Sequence, residues 1–364
     1  MKKSLIALAV LGSFAGAAAA QSNVTLYGLI DVGYGVGNNG TYEGQHGKDS
    51  KFQQWGNSNS TSRWGLKGSE DLGNGTKVYF ELEQGFQPET GADKGGFDRS
   101  ALVGISGGFG SVQAGRQKNI MNVMMGHFDV SGMPNLTSSL GNTGIGLVAE
   151  NIGGGSTASR YDSVLAYVSP NFSGFQFAGA FILKNDGRTD KNVYTLGLNY
   201  NIGGFTVGAA YESKHNDGMS AMWALGAKYD FGSFKVSGGW VDNHYKNDGR
   251  GLFLGFSVPV NAFEFGAQVA YNTKAYAGTE DIYTPVYVGP WGPGANIWDP
   301  NNWIIVQDTQ DKKVKPLSIE LFGKYNLSKR SQIYMQAGWI NSDAKTYQGA
   351  SRKYSASVGL IHSF

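Results

Sequence analysis

An alternation of apolar and polar residues constrains the fold of this chain more than any other feature of its sequence. In the segment 174–184, Phe175 and Phe177 share one face, whereas Gln176 and Lys184 share the other. A repeat of two residues is typical of β-strands with one apolar face, because successive side chains point to opposite faces of a sheet. The same alternation recurs in the segments 262–273, 316–325 and 354–364. The sequence therefore predicts an all-β fold.

Short connections rich in Gly, Asn, Asp and Ser alternate with longer, more variable ones. These residue types adopt positive φ angles or bond to their own backbone, so they favour tight turns. Seven short connections are found at 72–75, 107–110, 171–174, 201–204, 230–233, 259–262 and 326–328. Eight long connections are found at 38–59, 87–96, 118–158, 185–190, 214–218, 245–250, 275–314 and 342–351. Together they predict sixteen strands, with both chain ends on the side of the short turns.

Residues 1–20 predict a cleaved export signal. Lys2 and Lys3 precede a short apolar run, and three alanines end at position 20, as expected before a cleavage site. The apolar run is too short for a membrane-spanning helix, which needs about 20 residues. Residues 21–364 show no linker and no break in composition, so we expect a single domain there.

Export and amphipathic strands together predict a β-barrel in a bacterial outer membrane. Lipid offers no partner for backbone N–H and C=O groups, and a closed sheet satisfies them all without an exposed edge. An even number of strands with short turns on the side of both chain ends is typical of such barrels. Aromatic residues near the strand ends suit the lipid headgroup level, although Tyr79 by alternation could face the bore instead.

Composition and charge exclude several classes of function. The chain has 30 basic and 28 acidic residues, and removal of Lys2 and Lys3 leaves 28 basic residues, so the expected mature chain is formally neutral. Neutrality argues against nucleic-acid binding, which requires a basic surface. Cysteine is absent, so the fold does without disulfides. The five histidines do not occur at the spacing of metal ligands, and we expect no metal site and no cofactor.

Five segments resemble the Gram-negative general porins, most closely their betaproteobacterial branch. They are VTLYGLIDVGYG, SRWGLKGSEDLGNGTKVYFELEQGF, FDRSALVGISGGFGSVQAGRQ, SRYDSVLAYVSPNFSGFQ and the terminal SASVGLIHSF. The resemblance implies a homotrimer of 16-stranded barrels, in which the third long connection, 118–158, folds into the bore. It also implies that Phe364 is a recognition signal for barrel assembly. Ile361 and Ser363 depart from the family, which often has Arg at these positions.

The connection 118–158, called the constriction loop below, has an unusual share of apolar residues for a loop. They are Met121, Met124, Met125, Phe128, Met133 and Leu136. Packing against the inner wall of the barrel explains them, and an exposed cap is the alternative.

Charged residues of the early strands are candidates for the wall of the bore. If Trp64 faces outward, alternation turns Arg63 and Lys67 inward. The apolar residues of the next strand face outward in the same way, so that Glu81 and Glu83 face inward. Alternation therefore predicts charges of both signs on the inner wall.

Arg99 and Arg160 complete the candidate basic wall by resemblance rather than by alternation. Alternation leaves Arg99 ambiguous because it shares a face with Ala101 and Val103. The arginines in FDRSALVG and SRYDSVLAYVSP are similar to pore-wall arginines of the family. The constriction loop offers few carboxylates, of which Asp129 is expected to face the pore, so the basic charge is poorly balanced.

The sequence predicts a channel for passive diffusion of small hydrophilic solutes and ions, with a mild preference for anions. Basic side chains in a narrow passage lower the barrier to negative charge. The alternative is that these arginines only form ion pairs with their neighbours. The expected partners are outer-membrane lipid, lipopolysaccharide, further copies of the chain, and the solutes.

Two features leave other functions open. The connection 275–314 is rich in tryptophan and acidic residues, which could bind an aromatic solute, a sugar or a divalent ion. Packing within the loop, or capping of the barrel rim, explains them more simply. An enzyme or adhesin on the same barrel is the second alternative, for which His244 with Asp242 and Asn243 is the nearest cluster. A hydrogen-bonding role at the rim is the simpler interpretation of that cluster.

Overall fold

The computed structural model of the protein describes most of the chain, and the predicted signal peptide lies outside the described residues. The described residues form 18 β-strands and three α-helices. None of these helices is both long and apolar enough to cross a membrane. The described residues are 23–37, 54–93, 95–132, 134–143, 159–184, 191–213, 219–245, 248–287, 300, 303–350 and 352–364.

The order of the elements along the chain is almost entirely strand after strand. The strands are β1 (Asn23–Val36), β2 (Gln54–Gly56), β3 (Arg63–Gly73), β4 (Thr76–Gly85), β5 (Ser100–Gly107), β6 (Gly110–Lys118), β7 (Arg160–Val168), β8 (Phe175–Ile182), β9 (Val193–Ile202), β10 (Phe205–Glu212), β11 (Met219–Asp230), β12 (Lys235–Tyr245), β13 (Asp248–Val260), β14 (Phe263–Tyr287), β15 (Trp303–Val314), β16 (Leu317–Asn326), β17 (Ser331–Ile340) and β18 (Tyr354–Ser363). The helices are α1 (Ile120–Phe128), α2 (Ser139–Thr143) and α3 (Ser342–Gln348).

Sixteen of the strands form a closed antiparallel barrel, which confirms the predicted strand number. β1 closes it by pairing with β18 along residues 29–36 and with β3 along residues 23–29. The other two strands do not enlarge the barrel, because β2 continues the position of β3 beside β1 and β15 pairs with the outer part of β14. Where β1 leaves β3, the Asp31 N–H donates to Ser62 Oγ at 2.9 Å and bridges the interruption.

The apolar faces of the strands point outward, as alternation predicts. Leu225 and Leu254 are 48% and 56% exposed on the outside of the barrel, as expected for side chains that contact lipid. Tyr79 faces the bore, where its hydroxyl donates to Gln113 Oε1 at 2.7 Å. At the end with the short turns, neighbouring outward rings follow one another around the barrel in the row Phe205, Tyr229, Phe231, Phe234 and Phe256.

The seven predicted short connections each join consecutive strands of the barrel. Three of them place a non-glycine residue at positive φ, namely Asn74 at 52°, Ser173 at 53° and Asn261 at 53°. Asn tolerates this conformation because its short polar side chain forms local hydrogen bonds. In the turn that contains Ser173, a neighbouring asparagine stabilises the turn, because Asn171 Oδ1 accepts from Gly174 N–H at 2.6 Å.

Three of the predicted long connections contain more regular structure than expected. In 245–250, only residues 246 and 247 separate β12 from β13. In 275–314, the outer part of β14 pairs with β15 as a hairpin, with Ala275 opposite Val314. In 342–351, α3 begins after Asn341, whose side chain accepts from Ala344 N–H. The tryptophan side chains of 275–314 and the side chains of Asn243 and His244 lie outside the described part of the chain.

Candidate functional site: the channel constriction

The described part of the constriction loop, residues 118–132 and 134–143, lies inside the barrel and packs against its inner wall. Met121, Met125 and Phe128 of α1 are at most 1% exposed. They contact inward side chains of β10 to β14, namely Ala210, Met222, Ala224, Val241, Phe253 and Ala270. Packing therefore explains the apolar residues of α1, and the alternative of an exposed cap is wrong for this helix. Leu136 is buried as well, whereas Met133 lies outside the described residues.

Three inward glycines form a groove that receives α1. They follow one another on neighbouring strands as Gly197 on β9, Gly208 on β10 and Gly226 on β11. A Cβ atom at Gly208 would collide with Met124, and one at Gly226 would collide with the ring of Phe128. Only glycine lets the helix approach the wall this closely, so these three positions set how far the loop extends into the bore.

The start of α1 is fixed by a buried carboxylate of the wall. Asn119 caps the helix, because its Oδ1 accepts from Met121 N–H at 3.1 Å. The Asn119 Nδ2 donates to Glu212 Oε2 at 2.5 Å, and Tyr161 donates to the other oxygen of Glu212 at 2.8 Å. Glu212 is fully buried, and these bonds satisfy both of its oxygens.

A second buried carboxylate, Glu320 on β16, fixes the middle of the loop. It accepts from Ser131 Oγ at 3.2 Å, from Thr137 Oγ1 at 3.1 Å and from Ser139 N–H at 3.1 Å. Beside it, Gln268 on β14 accepts from Val130 N–H at 3.2 Å. Main-chain and side-chain groups of the loop are thus tied to the wall on both sides of residue 132.

The structure places Asp129 differently from the sequence expectation. Asp129 is 8% exposed and lies between the loop and the wall instead of facing the open bore. Its Oδ1 accepts from the N–H groups of Ser131 and Gly132, and its Oδ2 accepts from Gln268 Nε2 at 3.0 Å. These bonds to the following turn and to the wall hold the carboxylate away from the water-filled passage.

The three arginines predicted as a basic wall come together on the opposite side of the bore. Arg63, Arg99 and Arg160 line one cavity of about 450 Å³, and Lys118 joins them. Arg63 and Arg160 begin strands, Arg99 directly precedes β5, and Lys118 ends β6. The topology brings these four residues to one level because each lies at the end of a strand on the side of the long connections.

Glu83 lies between two of these arginines. Arg99 Nε is 2.6 Å from Glu83 Oε1, and Arg63 Nε is 3.6 Å from Glu83 Oε2. Tyr27 donates to the same Oε2 at 3.2 Å. Arg63 also donates through Nη1 to the carbonyl of Thr61 at 2.9 Å, so hydrogen bonds hold its guanidinium in place. One carboxylate therefore orients two cations without neutralising both.

A local irregularity explains why alternation could not place Arg99. Ser100 lies opposite Glu83 in the ladder between β4 and β5, yet the Arg99 N–H also donates to the Glu83 carbonyl at 3.2 Å. Two residues thus oppose one, as in a β-bulge, and the alternation shifts at this point. Val103 continues to face outward, while Arg99 turns into the bore.

Glu81 also lines the cavity, whereas Lys67 lies beside it. Lys67 is opposite Glu81 in the ladder, and its Nζ lies 5.0 Å from the centre of the Tyr27 ring. Lys118 was not among the predicted residues of the basic wall. Its only signal in the sequence is its position at the end of a strand just before the long loop. Arg116 on the same strand pairs with Asp162 at 2.6 Å.

The face of α1 that meets the cavity carries no carboxylate. Ile120, Val123, Met124 and His127 line the cavity from this side. The nine residues of α1 include no Asp or Glu, and its last turn contains His127. Burial and the positive charge of Lys228 hold the pKa of His127 below its ordinary value of 6.5.

Phe364 lies where the barrel closes. Its N–H donates to the Gly28 carbonyl and its carbonyl accepts from the Gly28 N–H, both at 3.1 Å. Its ring lies on the outer surface over Gly28, where a Cβ atom would collide with it. Its assembly role stays a prediction.

Among the described residues, no group of three or more His, Asp or Glu side chains could hold a metal ion.

Comparisons with known proteins agree with this architecture. The family model described as Gram-negative porin matches residues 7–345. An outer membrane porin of Bordetella pertussis is 30% identical over 404 aligned residues, with 100% of both chains covered. Outer membrane porin protein 32 of Delftia acidovorans is 29% identical over 383 aligned residues, again with 100% of both covered.

Among solved structures, an anion-selective porin from Comamonas acidovorans superposes with a TM-score of 0.67. It is 22% identical in sequence, and the match covers 94% of this chain and 100% of that one. At this identity the likeness shows the shared fold. With the closed barrel, the loop inside it and the family match, the chain belongs to the Gram-negative porins and forms an outer-membrane channel for passive diffusion of small hydrophilic solutes and ions.

Proposed function

We propose that this channel prefers anions, and that Arg63, Arg99, Arg160 and Lys118 produce the preference. The charges around the constriction cavity carry the proposal: four basic side chains and two carboxylates line it, which gives a formal charge of +2. The cavity-facing residues of α1 add no negative charge. The solved porin with the same fold is itself described as anion-selective, which supports the proposal.

The geometry favours this reading over arginines that serve only as ion-pair partners. Glu83 faces two guanidiniums, so it compensates at most one of them. A positive charge about 5 Å from an ion in water contributes about 0.8 kcal/mol, which corresponds to about a fourfold change in rate. The surplus therefore gives a mild preference and not strict exclusion of cations.

The reversal potential in a KCl gradient across a planar bilayer tests the proposal. We expect the wild-type channel to favour chloride, and Arg99→Gln to lower the chloride-to-potassium permeability ratio about two- to fourfold. Arg330→Gln makes the same change of charge in the exposed turn between β16 and β17, and we expect it to leave the ratio unchanged. Cation preference of the wild-type channel, or equal effects of the two variants, would contradict the proposal.

We also propose a homotrimer embedded in outer-membrane lipid and lipopolysaccharide. Each subunit is a single barrel domain, residues 21–364, which remains after residues 1–20 have been removed. The outward residues of β1 and β5 include the exposed aliphatic side chains Val24, Leu26, Val103 and Ile105, whereas those of β8 to β14 include many aromatic rings. These exposed aliphatic side chains suit contact with another subunit, because the core of an interface between identical subunits is more apolar than the rest of the surface. Native mass spectrometry in detergent tests the homotrimer, since a monomeric mass would contradict it.

Passage through such a channel requires no catalytic residue.

A further inference from the structure

The constriction cavity has an apolar side that a preference for anions does not explain. Leu102 on β5, Ala166 and Val168 on β7 and Ala178 on β8 all line it. The outward neighbours on the same strands are apolar as well, with Leu165 51% exposed on the outside. Inward positions of a water-filled barrel are ordinarily polar. β7 therefore carries apolar side chains on both faces where it borders the passage, and β8 adds Ala178 next to the polar Gln176.

The constriction loop adds a second apolar surface across the cavity. Val123 is 41% exposed, and with Ile120 it lines the same cavity. Val123 does not belong to the buried cluster that attaches α1 to the wall. Its exposure to water in the bore is unfavourable, so a solute that covers its methyl groups would be stabilised there.

Basic side chains border these apolar surfaces within one cavity. Arg63, Arg99 and Arg160 supply N–H donors suited to a carboxylate, while the surfaces at Val123 and Val168 exclude charge. The volume of about 450 Å³ lies in the usual range for sites that bind small organic molecules, about 300–1,000 Å³. Chloride would use only the basic part of this arrangement.

We propose that the constriction contains a transient binding site for small organic anions with an apolar body, such as aromatic monocarboxylates. The arginines bind the carboxylate, and the apolar surfaces at Val123 and Val168 contact the body. This inference rests on the proposed anion preference and adds a class of solute to it. Permeation of these anions saturates with concentration, whereas that of chloride and acetate does not.

Titration of the chloride conductance of single channels with potassium benzoate tests this proposal. Acetate has the same charge without the ring, and benzylammonium has the ring with the opposite charge. We expect benzoate to halve the chloride conductance at a concentration at least about tenfold below that required for acetate, as burial of an apolar ring implies. Benzylammonium is expected to have no effect in that range.

Two substitutions of nearly unchanged shape locate the site. Val123→Thr and Val168→Thr each replace a methyl group with a hydroxyl group, and each is expected to raise the half-effect concentration of benzoate about fourfold. The reversal potential in KCl should stay unchanged in both. Val130→Thr is the matched control in the same loop, because its methyl group lies against Gly255 and not in the cavity.

The outcomes separate this inference from the proposed function. Equal half-effect concentrations of benzoate and acetate, with chloride preference retained, would overturn the inference alone. Unchanged benzoate block in both Val→Thr variants would also overturn it, because the apolar surfaces would then play no part. Cation preference of the wild-type channel would overturn the proposed function instead. Circular dichroism of each variant shows whether the barrel has folded.

Discussion

His127 combines two properties that matter at the level of single residues. It lines the constriction cavity, and its pKa lies below the ordinary value of 6.5 because of burial and the charge of Lys228. Lys228 Nζ donates to the His127 backbone carbonyl at 2.9 Å, so a hydrogen bond holds this cation beside the residue. His127 is therefore neutral at pH 7 and gains a positive charge only in more acidic solution.

This lowered pKa predicts a pH dependence of ion selectivity. As the pH falls below 6.5 and through the pKa of His127, the constriction gains one positive charge, so the chloride-to-potassium permeability ratio should rise about two- to fourfold. Between pH 7 and 8 the ratio should be constant, since His127 stays neutral. Reversal potentials of the wild type and of His127→Gln measure this. An equal rise in His127→Gln would assign the effect to the carboxylates of the wall.

Alternation alone was enough to place Arg63, Glu81 and Glu83 on the inner wall, because these residues lie within regular strands. It failed for Arg99, where one extra residue shifts the pattern. It also could not place Asp129, whose direction depends on bonds to the turn that follows it and to Gln268, far away in sequence. Regular strands can thus be read from a sequence, whereas bulges and loop contacts depend on tertiary structure.

The position of α1 depends on the glycine groove, which gives a prediction for this element. Gly226→Ala introduces a methyl group where Phe128 now lies, so α1 must shift into the bore or the barrel must lose stability. We expect a cost of about 1–3 kcal/mol, as for other overpacked sites. The single-channel conductance and the unfolding temperature in detergent should both decrease in Gly226→Ala.

Gly179→Ala is the matched control for this substitution. Gly179 is also a strand glycine without positive φ, but a Cβ atom there would meet Leu196 Cδ2 at 3.4 Å, an ordinary contact. The conductance and the unfolding temperature of Gly179→Ala should match those of the wild type. If Gly226→Ala behaves like Gly179→Ala, the groove does not determine the position of the helix.

Among the elements, the membrane-crossing strands were predictable and the structure beyond the membrane was not. Strands in contact with lipid need one apolar face, which produces the alternation. The hairpin formed by β14 and β15 extends past the barrel, where polar residues are tolerated on both faces, so segment 275–314 lacked this signal. Its regular pairing is visible only in the structure.

At the scale of the whole barrel, Phe364 takes part in the closure between β18 and β1, which leads to a prediction about assembly. Deletion of Phe364 removes two backbone hydrogen bonds with Gly28 as well as the ring, whereas Phe364→Ala removes the ring alone. Each hydrogen bond contributes about 1 kcal/mol. We therefore expect slower formation of heat-resistant barrel in Phe364→Ala and a larger deficit after deletion, measured by refolding into lipid vesicles. Wild-type rates in the deletion variant would exclude a role of closure in assembly.

The hydrogen bonds between the constriction loop and the wall have a mechanical consequence for the molecule. The loop is bonded to β10 through Glu212, to β12 through Ser237, to β14 through Gln268, and to β16 through Glu320. A loop that is hydrogen-bonded to four strands of the barrel resists flattening of the barrel's circular cross-section into an ellipse. Lateral pressure in the bilayer would have to break several of these bonds before it could change the cross-section, so we expect the width of the passage to change little as the surrounding membrane fluctuates.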